Sequence, residues 1–171
     1  MSLAEQVRQV EAAVVFIHKR HPDRPLFIGG HSAGAHLAMM VVLGNKAPIA
    51  GTILLSGVFD LLPIRASPVN ENNLLGLTTE EDALAVSPAH LLSLPQSLAQ
   101  KKFLVIVGER DAPEFRRQSR EFVQLIQRRD GLTVGDLHTI PDRDHFSLCE
   151  YSVYPQDHVA QLLAEFVQKT A

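Results

Sequence analysis

The pentapeptide Gly30-His31-Ser32-Ala33-Gly34 sets a serine among small residues, directly after the apolar run Leu26-Phe27-Ile28-Gly29 and at the head of a helix-compatible stretch. A G-x-S-x-G sequence in that setting suits a sharp, strained strand-to-helix turn that lifts the hydroxyl above the sheet edge. The helix N-terminus favours negative charge there, and the Ala33 N–H is placed to donate to an oxyanion. The chemistry implied is nucleophilic attack on an acyl carbon, with Ser32 as the nucleophile. Two glycines that merely pack a helix against a strand are the structural alternative, which the flanking strand and helix disfavour.

A hydroxyl is a weak nucleophile until a base takes its proton. Of eight histidines, His145 is the candidate, because Pro141-Asp142-Arg143-Asp144-His145-Phe146 forms a loop after the last predicted strand and before the last helix. His18, His21, His90, His138 and His158 read as surface or loop residues, and His31 and His36 flank the nucleophile and could shape its pocket. The acid that orients the base should fall between serine and histidine in chain order. Asp111 does so, on the loop that follows the strand 103 to 107 through Gly108-Glu109-Arg110. Glu109 and Asp60 are its rivals, with capping or loop bonding the simpler use of Asp60; Asp142 and Asp144 lie too near His145 to be first choices. There is no H-E-x-x-H, and a single cysteine cannot build a thiolate site, so no metal is expected. No G-x-G-x-x-G or phosphate loop is present either.

These residues need a scaffold that brings three strand ends to one edge. Leu3, Val7, Val10, Val14 and Ile17 recur at helical spacing, predicting an amphipathic helix over 3 to 20 that ends before His21-Pro22. Short apolar runs without alternation at 26–29, 51–56 and 103–108 predict strands buried on both faces of a parallel sheet. Helices are predicted from about Ala33 to Leu43, around Phe115, Phe122 and Ile126, and over Val159 to Phe166, with a fourth strand from Val134 to Ile140. Alternating strands and helices define the α/β class. The segment from Pro63 to Gln100, rich in proline and asparagine, breaks the alternation and reads as an irregular insertion with short helices, a lid or a tolerated surface loop.

With 171 residues, 46% of them hydrophobic and 20% charged, the chain is expected to form one globular domain. A net charge of −3 without charged blocks excludes a basic field for nucleic acid. Cys149 has no second cysteine to pair with in the chain, the N-terminus lacks a signal-type apolar core, and no stretch could cross a bilayer. No membrane partner is expected, and the compartment implied is the cytoplasm, with the nucleus compatible. Residues alone therefore lead to acyl-transfer hydrolysis through a seryl intermediate and leave the substrate open; the partner expected is a small-molecule substrate.

The run Gly29-Gly30-His31-Ser32-Ala33-Gly34-Ala35-His36-Leu37-Ala38 resembles the nucleophile segment of kynurenine formamidases (arylformamidases), in the esterase and lipase branch of the α/β-hydrolases. Leu55-Ser56-Gly57-Val58-Phe59-Asp60-Leu61, Ser87-Pro88, the segment Val107 to Phe115 and Asp144-His145-Phe146 resemble later blocks of that family in the same order, so the similarity spans nearly the whole chain. The resemblance implies Ser32 as nucleophile, Asp111 as acid and His145 as base. It also implies hydrolysis of N-formyl-L-kynurenine to L-kynurenine and formate in tryptophan breakdown, with no cofactor.

The family pattern also has a His-Gly-Gly motif upstream of the nucleophile that completes the oxyanion hole, and this sequence contains none. The expectation is accordingly the C-terminal part of an α/β-hydrolase fold, whose strand at 26 to 29 would be an apolar edge prone to self-association into a homo-oligomer. Loss of one oxyanion donor costs on the order of a hundredfold to a thousandfold in rate. Two other readings stand beside formamidase: a carboxylesterase acting on small esters, and an inactive truncated chain serving as a binding or regulatory partner.

Overall fold

The computed structural model describes residues 2–94 and 100–171. Helix α1, Leu3–Arg20, starts where the Ser2 side chain accepts a hydrogen bond from the Glu5 N–H at 3.3 Å, and stops just before Pro22. Strand β1, Phe27–His31, feeds α2, Ala33–Gly44, and β2, Gly51–Leu55, follows. The stretch 63–100, read from the sequence as an insertion, follows β2. It holds α3 (Leu62–Arg65), a kinked 3-10 segment Pro68–Asn73, α4 (Glu80–Ala85) and α5 (Pro88–Ser93); its last part, residues 95–99, lies outside the described residues. Strand β3, Lys101–Gly108, leads into α6, Pro113–Gln127.

The fourth strand departs from expectation. Instead of one strand from 134 to 140 there are two short ones, β4 (Leu132–Val134) and β5 (His138–Ile140), both parallel to β3 and paired with its beginning and its end respectively. Gly135 and Asp136 are poor strand formers, and they interrupt the ladder between the two. Helices α7 (Ser147–Glu150) and α8 (His158–Thr170) complete the chain.

The sheet runs β1-β2-β3, with β4 and β5 together on the far side of β3, and every pairing is parallel. Strand β3 is buried on both faces. Phe103 and Val105 join a core with Val14, Met39, Val42, Leu54, Phe122 and Ile126, beneath α1, α2 and α6. Leu104 and Ile106 turn the other way, onto Leu55, Ile140 and Val159 under α8. That period-two division of an unbroken apolar run is what a parallel strand covered by helices on both sides requires. Helix α2 carries almost no polar side chains because it lies against α1, α5, β1 and β2 together.

Leu77 and Ala83 of this stretch form a small core with Leu61, which precedes it. Buried Asn70 stitches it, donating to the Arg65 and Leu77 carbonyls at 3.2 Å each and accepting from the Leu75 N–H at 3.1 Å.

Candidate active site

In a parallel sheet all strands end at one edge, and the loops leaving β1, β3 and β5 carry Ser32, Asp111 and His145. Ser32 has φ 55° and ψ −121°, a left-handed conformation that costs a non-glycine residue on the order of 1–3 kcal/mol. Two bonds enforce the turn: the Ser32 N–H donates to the Leu55 carbonyl at 2.9 Å, and the Ser32 carbonyl accepts from the Ala35 N–H at 3.1 Å. The hydroxyl makes no capping bond to α2, so it is not committed to the helix it precedes. A β-carbon on Gly30 would overlap the Gly34 carbonyl and lie 2.6 Å from the Ala35 nitrogen, so a residue with a side chain at 30 would push strand and helix apart. Exposed Ala33 opens α2, where the first N–H groups have no partner within the helix.

Asp111 and His145 are brought together. The His145 Nδ1 lies 3.2 Å from both carboxylate oxygens of Asp111, whose side chain is fully buried. The Asp111 N–H donates to the Gly108 carbonyl at 3.2 Å, and Asp111 Oδ1 accepts from the Ala112 N–H at 2.9 Å, just before Pro113 begins α6. The two loops are laced by backbone bonds: Glu109 N–H to the Ile140 carbonyl at 3.0 Å and Arg110 N–H to the Arg143 carbonyl at 2.8 Å.

Arg143 anchors the loop that carries the base. Its guanidinium donates to buried Asp157 at 2.6 Å and lies 4.1 Å from the Tyr151 ring centre. Asp157 in turn caps α8 through the Val159 N–H at 2.9 Å. Burial pushes the Asp157 carboxyl up, but the Arg143 and Val159 bonds outweigh it and hold the group below its ordinary value.

The rival acids have other partners. Asp60 accepts from the Leu62 N–H at 3.0 Å, and Glu109 from the Asp142 N–H at 3.0 Å. Asp144 lies just before α7 and accepts from the Phe146 and Ser147 N–H groups at 3.0 and 2.8 Å. These bonds, first that with the Ser147 backbone, hold its carboxyl below the usual range. His36 does not shape the pocket, because it is buried and its Nε2 donates to the Val86 carbonyl at 2.7 Å, tying α2 to the insertion. His31 does face the site: its ring centre is 4.5 Å from that of His145.

Three features escaped sequence reasoning. The Phe115 ring stacks on His145 with centres 4.2 Å apart. Ser56, which follows β2 beside the nucleophile turn, has φ 44° and a buried hydroxyl without a hydrogen-bond partner. Gln118 is buried with its amide saturated: it accepts from the Phe59 and Asp60 N–H groups at 2.7 and 2.9 Å and donates to the Asp60 carbonyl and Glu114. A glutamine within an amphipathic helix carries no sequence mark of such a role.

A cleft of about 250 Å³ between the first half of β3, β4 and α8, lined by Phe103, Leu162 and Phe166, lies toward the opposite end of β3 from Asp111. Among the described residues no three His, Cys, Asp or Glu side chains converge as metal ligands, and no helix is long and apolar enough to cross a membrane.

Kynurenine formamidases of Salmo salar and Danio rerio are each 37% identical to this chain over 96% of its length, and the chain spans 57% of theirs. The resemblance read from the nucleophile segment thus extends along the sequence. Esterase B of Lactobacillus rhamnosis superposes with a TM-score of 0.76 at 16% identity, over 98% of this chain and 61% of that one, which shows a shared fold. The family model described as serine aminopeptidase, S33 (Hydrolase_4) matches residues 1–93, more than half of the sequence, and the chain belongs to this family of α/β-hydrolases.

Proposed function

We propose that the chain carries the nucleophile, base and acid of a serine hydrolase acting by acyl transfer, with Ser32, His145 and Asp111 in those roles, and that its substrate is N-formyl-L-kynurenine. The observation that carries the reading is the His145 Nδ1 at 3.2 Å from both oxygens of buried Asp111, at the sheet edge where Ser32 is held in a strained turn. A buried carboxylate at Nδ1 keeps the proton on that nitrogen and leaves Nε2 free to accept one. The substrate assignment is supported by the likeness to kynurenine formamidases.

In the proposed reaction His145 Nε2 takes the Ser32 proton as the hydroxyl oxygen attacks the formyl carbon. The Ala33 N–H donates to the resulting oxyanion, aided by the α2 N-terminus. The carbon–nitrogen bond breaks, and the aromatic amine leaves with the proton held by His145. Water then attacks the formyl ester, giving its proton to His145, and formate departs as Ser32 recovers its hydrogen. Asp111 steadies the imidazolium in both halves.

The second reading, a carboxylesterase acting on small esters, draws on the fold shared with esterase B. Turnover of N-formyl-L-kynurenine and of p-nitrophenyl acetate, measured beside Ser32→Ala, separates the two. The formamidase reading expects the larger kcat/KM on the formamide, abolished in Ser32→Ala; ester turnover alone supports the esterase, and formamide turnover that survives Ser32→Ala contradicts both.

A further inference from the structure

The bond from Asp111 to His145 leaves the base loosely held. Two equal distances of 3.2 Å to the two carboxylate oxygens describe a bifurcated contact, longer than the usual charge-assisted bond and so less directional. Something else must fix the plane of the imidazole if its second nitrogen is to face Ser32. Two rings lie against it: Phe115 from α6, with centres 4.2 Å apart and planes 29° apart, and His31 from the end of β1, at 4.5 Å and 45°. Both rings lie on the imidazole of the base, one supplied by a helix and one by a strand end.

We infer that His31, the residue before the nucleophile, is a positioning residue for the base: together with Phe115 it confines the His145 ring and fixes the direction of the free imidazole nitrogen. The inference rests on the acyl-transfer reading of Ser32 and His145. His31 is suited to the task because its own backbone has no freedom. It pairs in register with Leu55, its neighbour Ser32 is bonded to that same residue, and Gly30 leaves no space for the strand to shift toward α2. The turn that raises the nucleophile therefore also sets the surface against which the base rests.

Charge is compatible with this arrangement. Burial, then the charge on His145, hold the His31 imidazole below its ordinary value, outweighing the His145 backbone and Asp111, which favour its cation. Its Nε2 is buried without a partner, as suits an unprotonated nitrogen. A neutral ring at 31 does not repel His145 when the base carries the serine proton.

The test uses the full chain with His31→Leu, which removes the ring, and His31→Phe, which keeps one. Two quantities are read: the rate at which a fluorophosphonate labels Ser32, and the ring nitrogen shifts of His145 by NMR, assigned with His145→Ala. His31→Leu is expected to slow labelling by about tenfold or more, as a misplaced catalytic group does, and to move the His145 shifts toward mixed tautomers. His31→Phe is expected to stay within about threefold of the parent rate and keep the parent shifts, because it preserves the orientation on which proximity depends. A leucine variant that labels at the parent rate with unchanged His145 shifts overturns the inference. So does a folded phenylalanine variant slowed as much as the leucine one, which decides the matter if the leucine variant does not fold. If the parent is not labelled at Ser32, the acyl-transfer reading falls, and the His145 shifts in the two variants still decide whether His31 positions that ring.

Discussion

Gly108, at the end of β3, packs against the backbone of Arg143 so closely that a β-carbon at 108 would run into the Arg143 carbonyl and lie 3.2 Å from that of Asp144. The acid and the base reach each other because the loops that carry them touch here, backbone to backbone. Gly108→Ala must move the loop holding His145 away from Asp111, since a carbonyl offers no flexible end that could yield. Overpacking of this kind costs about 1–3 kcal/mol. The expected outcome is a lower thermal midpoint together with loss of Ser32 labelling; an alanine variant as stable and as reactive as the parent contradicts this account of the loop.

The two glycines of the pentapeptide are not equivalent. A β-carbon at Gly30 collides with the Gly34 carbonyl, whereas one at Gly34 meets nothing within 4 Å. Gly30→Ala is expected to destabilise by several kcal/mol, because helix and strand must separate. Gly34→Ala, within the first turn of α2, is expected to be neutral or to stabilise by up to about 1 kcal/mol through helix propensity. Urea unfolding of the two variants checks the contrast, and equal losses would remove the geometric argument.

His36 gives the fold a dependence on pH. Burial holds its imidazole below the ordinary value, outweighing the Val86 carbonyl, which favours the cation. The unfolded chain therefore takes up the proton first as pH falls. This contribution is complete above about 6.5, the ordinary histidine value, and is lost as pH falls through the lower value of the folded state. His36→Gln, which keeps a donor for the Val86 carbonyl, should flatten the decline in thermal midpoint between pH 7 and pH 5, on the order of the ordinary histidine titration range. A decline as steep as the parent's points to other groups.

Strand β1 forms one edge of the described sheet, and Gly29 within it is exposed. Unpaired strand edges recruit further strands. The isolated chain is expected to self-associate in a dilution series by sedimentation; a monodisperse monomer at all concentrations contradicts that expectation.

Much of this was legible in the sequence because α/β chemistry sits at strand ends. Ser32 was marked by small neighbours between a strand and a helix, and Asp111 and His145 by their order and by the strands before them; the structure places the latter two in contact. What was not legible depends on distances between segments remote in the chain. The asymmetry of Gly30 and Gly34, the rotation of His36 toward Val86, and the stacking of Phe115 and His31 on one imidazole all arise only when the elements are assembled. The interruption between β4 and β5 was missed because Val134 and Ile140 are apolar enough to suggest one strand, while Gly135 and Asp136 decide otherwise.

Activation of Ser32 by His145 and Asp111 is read by peptide mapping with mass spectrometry after reaction with p-nitrophenyl acetate. An acetyl group is expected on Ser32, absent in Ser32→Ala and formed more slowly, by on the order of a hundredfold or more, in His145→Ala and Asp111→Asn. Acetylation elsewhere in the chain, or acetylation of Ser32 at the parent rate without His145, would contradict it.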